Sequence, residues 1–230
     1  MLFSGKNVAK TILEKKLKVN KIYLWEDFSD KNFDLAYLKQ NFNTKIVSKK
    51  QLDQLAPGNH QGIIIDIDLD FNLTLEDIIN QNKELIVMLD HLEDPHNVGA
   101  IIRTCTLAGV DAIIIPKQRS VTINNTVMKT SAGTLVKAPI CLVSNLRDAI
   151  LKLKKAGFWI IGSDSSGTPY DEIDYKGKIV IIIGNEGAGM SNIITKECDF
   201  MATIPTYHAE SLNASVAAGI IIYEAKKQRK

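Results

Sequence analysis

The sequence has little with which to hold itself together by covalent or metal bonds. Its three cysteines, Cys105, Cys141 and Cys198, are odd in number, far apart and free of any CxxC spacing. That pattern argues against a disulfide framework and a cysteine zinc site, and leaves ordinary buried thiols. The four histidines form no metal-ligating constellation; His96 reads as a surface or capping residue before a helix, and His60 marks a tight turn before a strand. No apolar run approaches the ~18–20 residues of a membrane span. The opening MLFSGKNVAK meets lysine too early for a signal-peptide core, so the cytoplasm is the expected location. Internal repeats and low-complexity tracts are absent, and no arginine precedes Arg103, which weakens any phosphate-gripping reading of the first hundred residues.

What is there is a chain of 230 residues with 45% hydrophobic content, enough to bury one large core or two small ones. Its net charge of +2 would not by itself suggest nucleic acid, but the charge is unevenly spread. Met1 to Ile65 carries eleven lysines against six acids, an excess of +5, and the remainder has seventeen bases against twenty acids, or −3. Lys15, Lys16, Lys18 and Lys21 cluster, as do Lys226, Lys227, Arg229 and Lys230 in the tail. Such patches suit phosphate, and they equally suit a solvated helix face.

Alternating short elements fill the first segment. Helices are expected near Asn7 to Leu17, Leu35 to Phe42 and Lys50 to Leu55, with strands at Lys21 to Trp25, Lys45 to Val47 and Gly62 to Ile67. Polar residues from Asp66 to Asn72, then a helix at Leu75 to Asn80, place a boundary near residues 70–82. The second segment alternates with more apolar strands, at Leu85 to Leu89, Ala112 to Ile115, Phe158 to Gly162, Ile179 to Ile183 and Met201 to Ile204. Helices fall at Val98 to Leu107, Leu146 to Lys155 and Leu212 to Lys226. Continuous Ile/Val runs between helices predict an α/β fold, a parallel sheet covered by helices on both faces. Ligands on such sheets sit beyond the carboxyl ends of the strands.

Three segments lie at those ends. In DPHNVGAIIRT, Asp94 to Thr104, the spacing sets Asn97, Gly99 and Arg103 near a helix start, where free N–H groups and a cation suit an anion or a polarised oxygen; an Asn cap with a solvated Arg accounts for them equally well. In VIIIGNEGAGMS, Val180 to Ser191, three glycines after a buried strand let the backbone approach a ligand beside the Glu186 carboxylate, or simply form a tight turn. The glycine order, GxxGxG, is not the dinucleotide fingerprint. In IPTYHAESLNASVAAG, Ile204 to Gly219, Glu210 or Ser211 begins a long helix with Leu212, Val216, Ile220 and Tyr223 along an apolar face. Ser211 and Asn213 then serve either as ligand-facing hydrogen-bonding groups or as a cap and a first-turn polar residue.

In this combination and order, the three segments resemble the signature motifs of the SpoU/TrmH family of RNA ribose 2'-O-methyltransferases. IIIPKQRS at Ile113 to Ser120 and SAGT at Ser131 to Thr134 resemble its RlmB branch, which methylates a guanosine of 23S rRNA. SGKNV at Ser4 to Val8 and NHQGI at Asn59 to Ile63 are similar to that branch's N-terminal domain, a small α/β unit like a ribosomal protein. The resemblance implies an RNA substrate-binding domain over 1–70, a linker over 71–83, and a SPOUT methyltransferase domain over 84–230 with a C-terminal trefoil knot. It also implies a homodimer, S-adenosylmethionine as cofactor, 23S rRNA as partner and no metal. By motif matching, Asn97, Arg103, Glu186, Ser211 and Asn213 fall on catalytic positions, and Gly184, Ile204 and Leu212 on cofactor-binding positions. Gly187 and Thr134 join the latter as candidates. The chain departs from the family after Ile204, where IPTYHAE is one residue shorter than the usual IPM-x-G segment and lacks its glycine.

Methyl transfer to a ribose hydroxyl is an in-line displacement that needs alignment and removal of the 2'-proton. Arginine, with a pKa above ~12, suits stabilising a developing alkoxide and gripping phosphate better than acting as a base. Glu186 is expected to orient Arg103 or accept the proton, with Asn97, Ser211 and Asn213 fixing ribose and methionine groups. Trp25, Tyr23 and Phe28 offer stacking faces for bases, or pack the rim of a core. The alternatives are a tRNA ribose methyltransferase, a non-catalytic RNA-binding assembly factor and a Rossmann-type oxidoreductase.

Overall fold

The computed structural model describes residues 1–187, 189–207 and 212–229. They divide into two compact units, Met1–Asp70 with Ile123–Val136, and Phe71–Thr122 with Lys137–Lys230.

The first unit runs β1 (Leu2–Ser4), α1 (Lys6–Glu14), β2 (Val19–Trp25), α2 (Leu35–Asn41), β3 (Thr44–Val47), α3 (Lys49–Leu55) and β4 (Ile63–Ile67). Its sheet has the order β1-β4-β2-β3, with β4 antiparallel to both neighbours. Ile63, Ile64, Ile65 and Ile67 are fully buried, which explains why the longest Ile run of the segment takes an inner position. Ser48 caps α3 in a reciprocal capping box with Gln51. The three-residue β1 is too short for periodicity to reveal it.

The second unit opens with α4 (Leu75–Asn80), β5 (Leu85–Leu89), α5 (Pro95–Ala108) and β6 (Ala112–Pro116), after which α6 (Asn125–Thr130) belongs to the first unit. It resumes with β7 (Ile140–Val143), α7 (Leu146–Lys155), β8 (Trp159–Pro169), β9 (Ile179–Ile183), α8 (Asn192–Thr195), β10 (Phe200–Thr203) and α9 (Ala214–Gln228). The six strands are all parallel in the order β10-β8-β9-β5-β6-β7, as the Ile/Val runs predict. The strand order turns back at β5 and β9, which lie side by side and are buried along their whole length. That switch point is where a crevice opens beyond the carboxyl ends.

The return of α6 to the first unit explains the SAGT segment. Asn125 donates from its side-chain amide to Ser4 Oγ (2.7 Å) and accepts from the Ser4 N–H (2.8 Å). At Gly133 a Cβ would stand 2.8 Å from the Thr11 methyl, and φ is +77°, so glycine alone lets this turn close on α1. The motif is therefore built into packing of the first unit.

Candidate active site

Three loops at the carboxyl ends of the strands, after β5, β9 and the edge strand β10, carry the motifs. After β5, Asp94 caps α5 by accepting from the His96 N–H at 2.9 Å, with Pro95 at the first helical position. Asn97 is thus not the cap. It is buried in the first turn, and its side chain is free for tertiary contact. After β9, the Asn185 and Gly189 backbones exchange two hydrogen bonds of 3.0 and 2.8 Å, which fold the glycine segment back on itself. Gly184 is required there, because a Cβ would lie 2.6 Å from the Met190 nitrogen. After β10, Asn213 caps α9 by accepting from the Ser215 and Val216 N–H groups. The helix starts at Ala214, not at Leu212, because this amide supplies the cap expected of Ser211 or Glu210. Glu210 and Ser211 lie outside the described residues.

The three loops meet on one carboxylate oxygen. Glu186 Oε1 accepts from the Asn97 amide at 2.6 Å, from the Ala214 N–H at 3.0 Å and from the Asn213 amide, while Asn213 also donates to Asn97 Oδ1 at 3.0 Å. An anion at the N-terminus of the fifteen-residue α9 is favoured by the unpaired N–H groups and the helix dipole. Beneath this cluster the buried Asp90 accepts from the Ser191 N–H (2.7 Å) and contacts the His91 ring (2.5 Å). It ties the end of β5 to the glycine loop, and the sequence reading missed it because a single Asp after a strand carries no periodic signal.

Beside the cluster lies an open cavity of about 540 Å³. Gly184, Glu186, Gly187, Ile204 and Leu212 line it together with Ile183, Ala217 and Ile221. Asp164, with Ser163 and Ser165, forms part of the wall from the irregular end of β8, where the register to β10 slips between Met201 and Ala202. Asp164 was also missed; the only signal was its place just past a strand end. The cavity falls within the ~300–1,000 Å³ of small-molecule sites. Apolar walls, glycine backbone and two carboxylates fit a cationic nucleoside such as S-adenosylmethionine.

Arg103 and Thr134 stand elsewhere. Six residues separate Arg103 from Asn97, about 600° of helix rotation, so Arg103 leaves the helix well away from the Asn97 side. It is exposed and makes no ion pair or side-chain hydrogen bond with any described residue, which corrects the expectation that Glu186 orients it within the same chain. Thr134 belongs to the first unit, where its hydroxyl donates to the Ser131 carbonyl at 2.8 Å, and it is not among the described residues lining the cavity. The apolar row predicted for the last helix also differs. The buried row is Ala214, Ala218, Ile221, Ile222 and Ala225, whereas Leu212, Val216 and Tyr223 are exposed.

A doubly wound parallel sheet with a polar cluster and a cavity beyond the carboxyl ends of β8, β9 and β10 defines a nucleotide-type ligand site. The chain belongs to the SpoU rRNA Methylase family, whose model matches residues 84–223. Residues 4–70 match a second model, described as RNA 2'-O ribose methyltransferase substrate binding. A protein assigned to the TrmH family of tRNA/rRNA methyltransferases in Staphylococcus aureus (strain COL) is 39% identical over 222 residues, 92% of this chain and 89% of that one. The Bacillus subtilis (strain 168) protein YacO, of the same family, is 34% identical over 98% of this chain and 94% of its own. Among solved structures, the AdoMet-bound rRNA methyltransferase of Sinorhizobium meliloti superposes with a TM-score of 0.79 at 25% identity, covering 98% of this chain and 86% of that one. The SpoU methyltransferase AviRb of Streptomyces viridochromogenes, in complex with AdoMet, shares the fold with a TM-score of 0.82 at 24% identity, over 100% of this chain and 90% of its own.

Proposed function

We propose that this protein methylates a ribose 2'-hydroxyl of RNA, with S-adenosylmethionine as donor and a guanosine of 23S rRNA as target. The observation that carries this reading is the convergence of Asn97, Glu186 and Asn213, with Glu186 lining the cavity beyond β8, β9 and β10. Residues 1–70 serve as the RNA substrate domain, 71–83 as a linker, and 84–230 as a methyltransferase domain whose C-terminal part is tied in a trefoil knot. A family match over 4–70 favours the rRNA branch over tRNA enzymes lacking such a domain.

When bound, the donor supplies a sulfonium methyl group for in-line displacement. Gly184, Gly187, Ile204 and Leu212 hold it by backbone approach and apolar contact. Glu186 keeps Asn97 and Asn213 in one orientation, so their amides present fixed donors and acceptors to ribose and methionine groups. Arg103 grips the RNA phosphate and stabilises charge developing on the 2'-oxygen. Ser211 and Thr134 complete the candidate set from the motif match.

Arg103 also argues for the homodimer. It shares a face of α5 with Leu107, one turn away and 64% exposed, and α9, which packs on α5, exposes Val216 and Tyr223. A second copy covering these apolar side chains would take Arg103 into the interface, where a partner's cavity can use it.

The test is incubation with methyl-labelled AdoMet and separate pools of undermethylated 23S rRNA and tRNA, followed by mapping of 2'-O-methyl groups. Label on a 23S guanosine is expected. Label on tRNA alone overturns the branch, and no transfer to either RNA or ribosomal particles overturns the activity.

A further inference from the structure

The first unit holds a second cavity, of about 640 Å³, that the methyl-transfer chemistry does not use. Its walls are Trp25 at the end of β2, Asp27 and Phe28 just beyond it, Lys6 and Lys49 from the starts of α1 and α3, and the loop Gly58 to Gly62. The half-buried indole of Trp25 supplies a flat apolar face. Phe28 is buried and set edge-on against Phe33, with ring centroids 5.6 Å apart. Gly62 lies so close that a Cβ would sit 2.9 Å from the Phe28 ring, which seats the loop directly against the aromatic floor.

That loop is held rigidly and keeps donors in reserve. His60 is buried; its Nδ1 accepts from the Gly62 N–H at 3.0 Å, which leaves Nε2–H to donate to Asp53 at 3.1 Å. Lys129 of α6 donates to the Asn59 carbonyl at 2.8 Å. Gln61 has φ +52°, a conformation that costs energy outside glycine, and its Oε1 accepts from the Lys6 N–H at 2.7 Å. The Asn59 and Gln61 amide NH₂ groups are therefore exposed and have no partner among the described residues. Lys6 is partly neutralised by Asp30 at 2.8 Å, whereas Lys49 is exposed and makes no ion pair with any described residue.

We propose that this cavity takes one unstacked nucleobase of the substrate RNA, stacked on Trp25 and read by Asn59, Gln61 and Asp27, with the adjoining phosphate against Lys49. An aromatic face beside fixed amides and a free cation matches the way single-stranded RNA is recognised. The basic excess of the first 65 residues suits the same ligand. The proposal rests on the reading that this protein acts on RNA, and it locates where the first unit grips the substrate.

Only Trp25 and Trp159 are tryptophans, so full-length protein carrying Trp159→Phe reports on Trp25 alone. Titration with a mixed-sequence single-stranded ten-nucleotide RNA should quench Trp25 emission, and the same sequence as a duplex should not. Gln61→Ala and Lys49→Ala, both at exposed positions, should each weaken binding several-fold, and Trp25→Phe should weaken it less than Trp25→Leu, by about ten-fold for the latter. AdoMet affinity should stay within two-fold in every variant, and an unchanged circular dichroism spectrum and thermal unfolding profile show that the first unit is folded. RNA binding with unchanged Trp25 emission and unaffected by Gln61→Ala and Lys49→Ala overturns the pocket while leaving the RNA reading intact. Failure to bind 23S rRNA or any other RNA overturns both.

Discussion

The side-chain amide of Asn97 donates to the Glu186 carboxylate at 2.6 Å, joining residues 89 positions apart in the chain. Through this bond the first turn of α5 and the glycine loop after β9 share one oxygen with the cap of α9. Each motif alone has a local explanation, as a cap, a turn or a helix start. Their common acceptor has none, and it makes the cluster one unit in which orientation of any member depends on the other two.

Replacing the acceptor tests that unity. Glu186→Ala leaves the buried Asn97 amide without its acceptor, and a stranded buried donor costs ~1–3 kcal/mol. Glu186→Gln retains a carbonyl oxygen in the same place and loses only the charge at the α9 N-terminus, so it should cost less than Glu186→Ala, about 0.3–1 kcal/mol. Urea denaturation of the two variants measures the difference; equal stabilities would mean that Asn97 finds another partner and that the cluster is not coupled.

Gly184 and Gly187 lie on either side of Glu186, three positions apart, yet they should respond very differently to alanine. At Gly184 the new methyl would meet backbone atoms of Gly189 and Met190 at 2.7 and 2.6 Å, so the loop must move. At Gly187 the nearest atom is Asn185 Oδ1 at 3.7 Å, an ordinary contact. Overpacking of ~1–3 kcal/mol at Gly184 translates into roughly a five- to hundred-fold loss of AdoMet affinity by calorimetry, against less than about three-fold for Gly187→Ala. A larger effect at Gly187 would place its backbone, and not the loop fold, in control of binding.

Particular residues show what the sequence made legible. The strands β5 and β9 could be read because Leu85–Leu89 and Ile179–Ile183 are apolar without interruption, the mark of a parallel sheet covered on both faces. The elements β1, α6, β7 and α8 escaped; each is three to six residues long, where period 2 or 3.6 is faint, although β3, β10 and α4 of similar length were read. The last helix was legible as a helix and misread in its orientation, because α9 is apolar on two sides; Ala and Ile face the sheet while Val216 and Tyr223 face outward. Asn97, Glu186 and Asn213 could be nominated one by one. That they share an oxygen is a fact of tertiary structure, and so is the separation of Arg103 from them.

The thiols give a prediction about pH. Burial pushes Cys198 and Cys141 up to about 11 and raises Cys105 further. A raised thiol pKa disfavours the thiolate, so at pH 8 only ~0.1% of Cys198 is ionised, and reactivity follows the thiolate. The native protein should therefore react slowly with a disulfide reagent at pH 8 and faster as pH rises toward 11. Because the unfolded thiols ionise near 9, their contribution to stability is undiminished below that pH and falls between 9 and 11. Rapid stoichiometric labelling of native protein at pH 8 would contradict this burial.

Arg103 separates catalysis from folding most cleanly. It is exposed and unpaired among the described residues, so Arg103→Ala should change stability by less than ~0.5 kcal/mol and leave AdoMet affinity nearly untouched. Transfer should nevertheless be abolished, since the only arginine of the three motifs would be gone. Leu107→Lys, one turn further along α5, should keep the monomer folded while a buried cation opposes association of the copies. If Arg103 acts within its own chain, Leu107→Lys monomers retain transfer activity; if it acts across the interface, they lose it. In that second case, mixing catalytically dead Arg103→Ala with dead Glu186→Ala protein should restore activity in the heterodimer, because one of its two cavities then receives both intact groups. Absence of rescue, with heterodimers demonstrated by native mass spectrometry, would return Arg103 to its own chain.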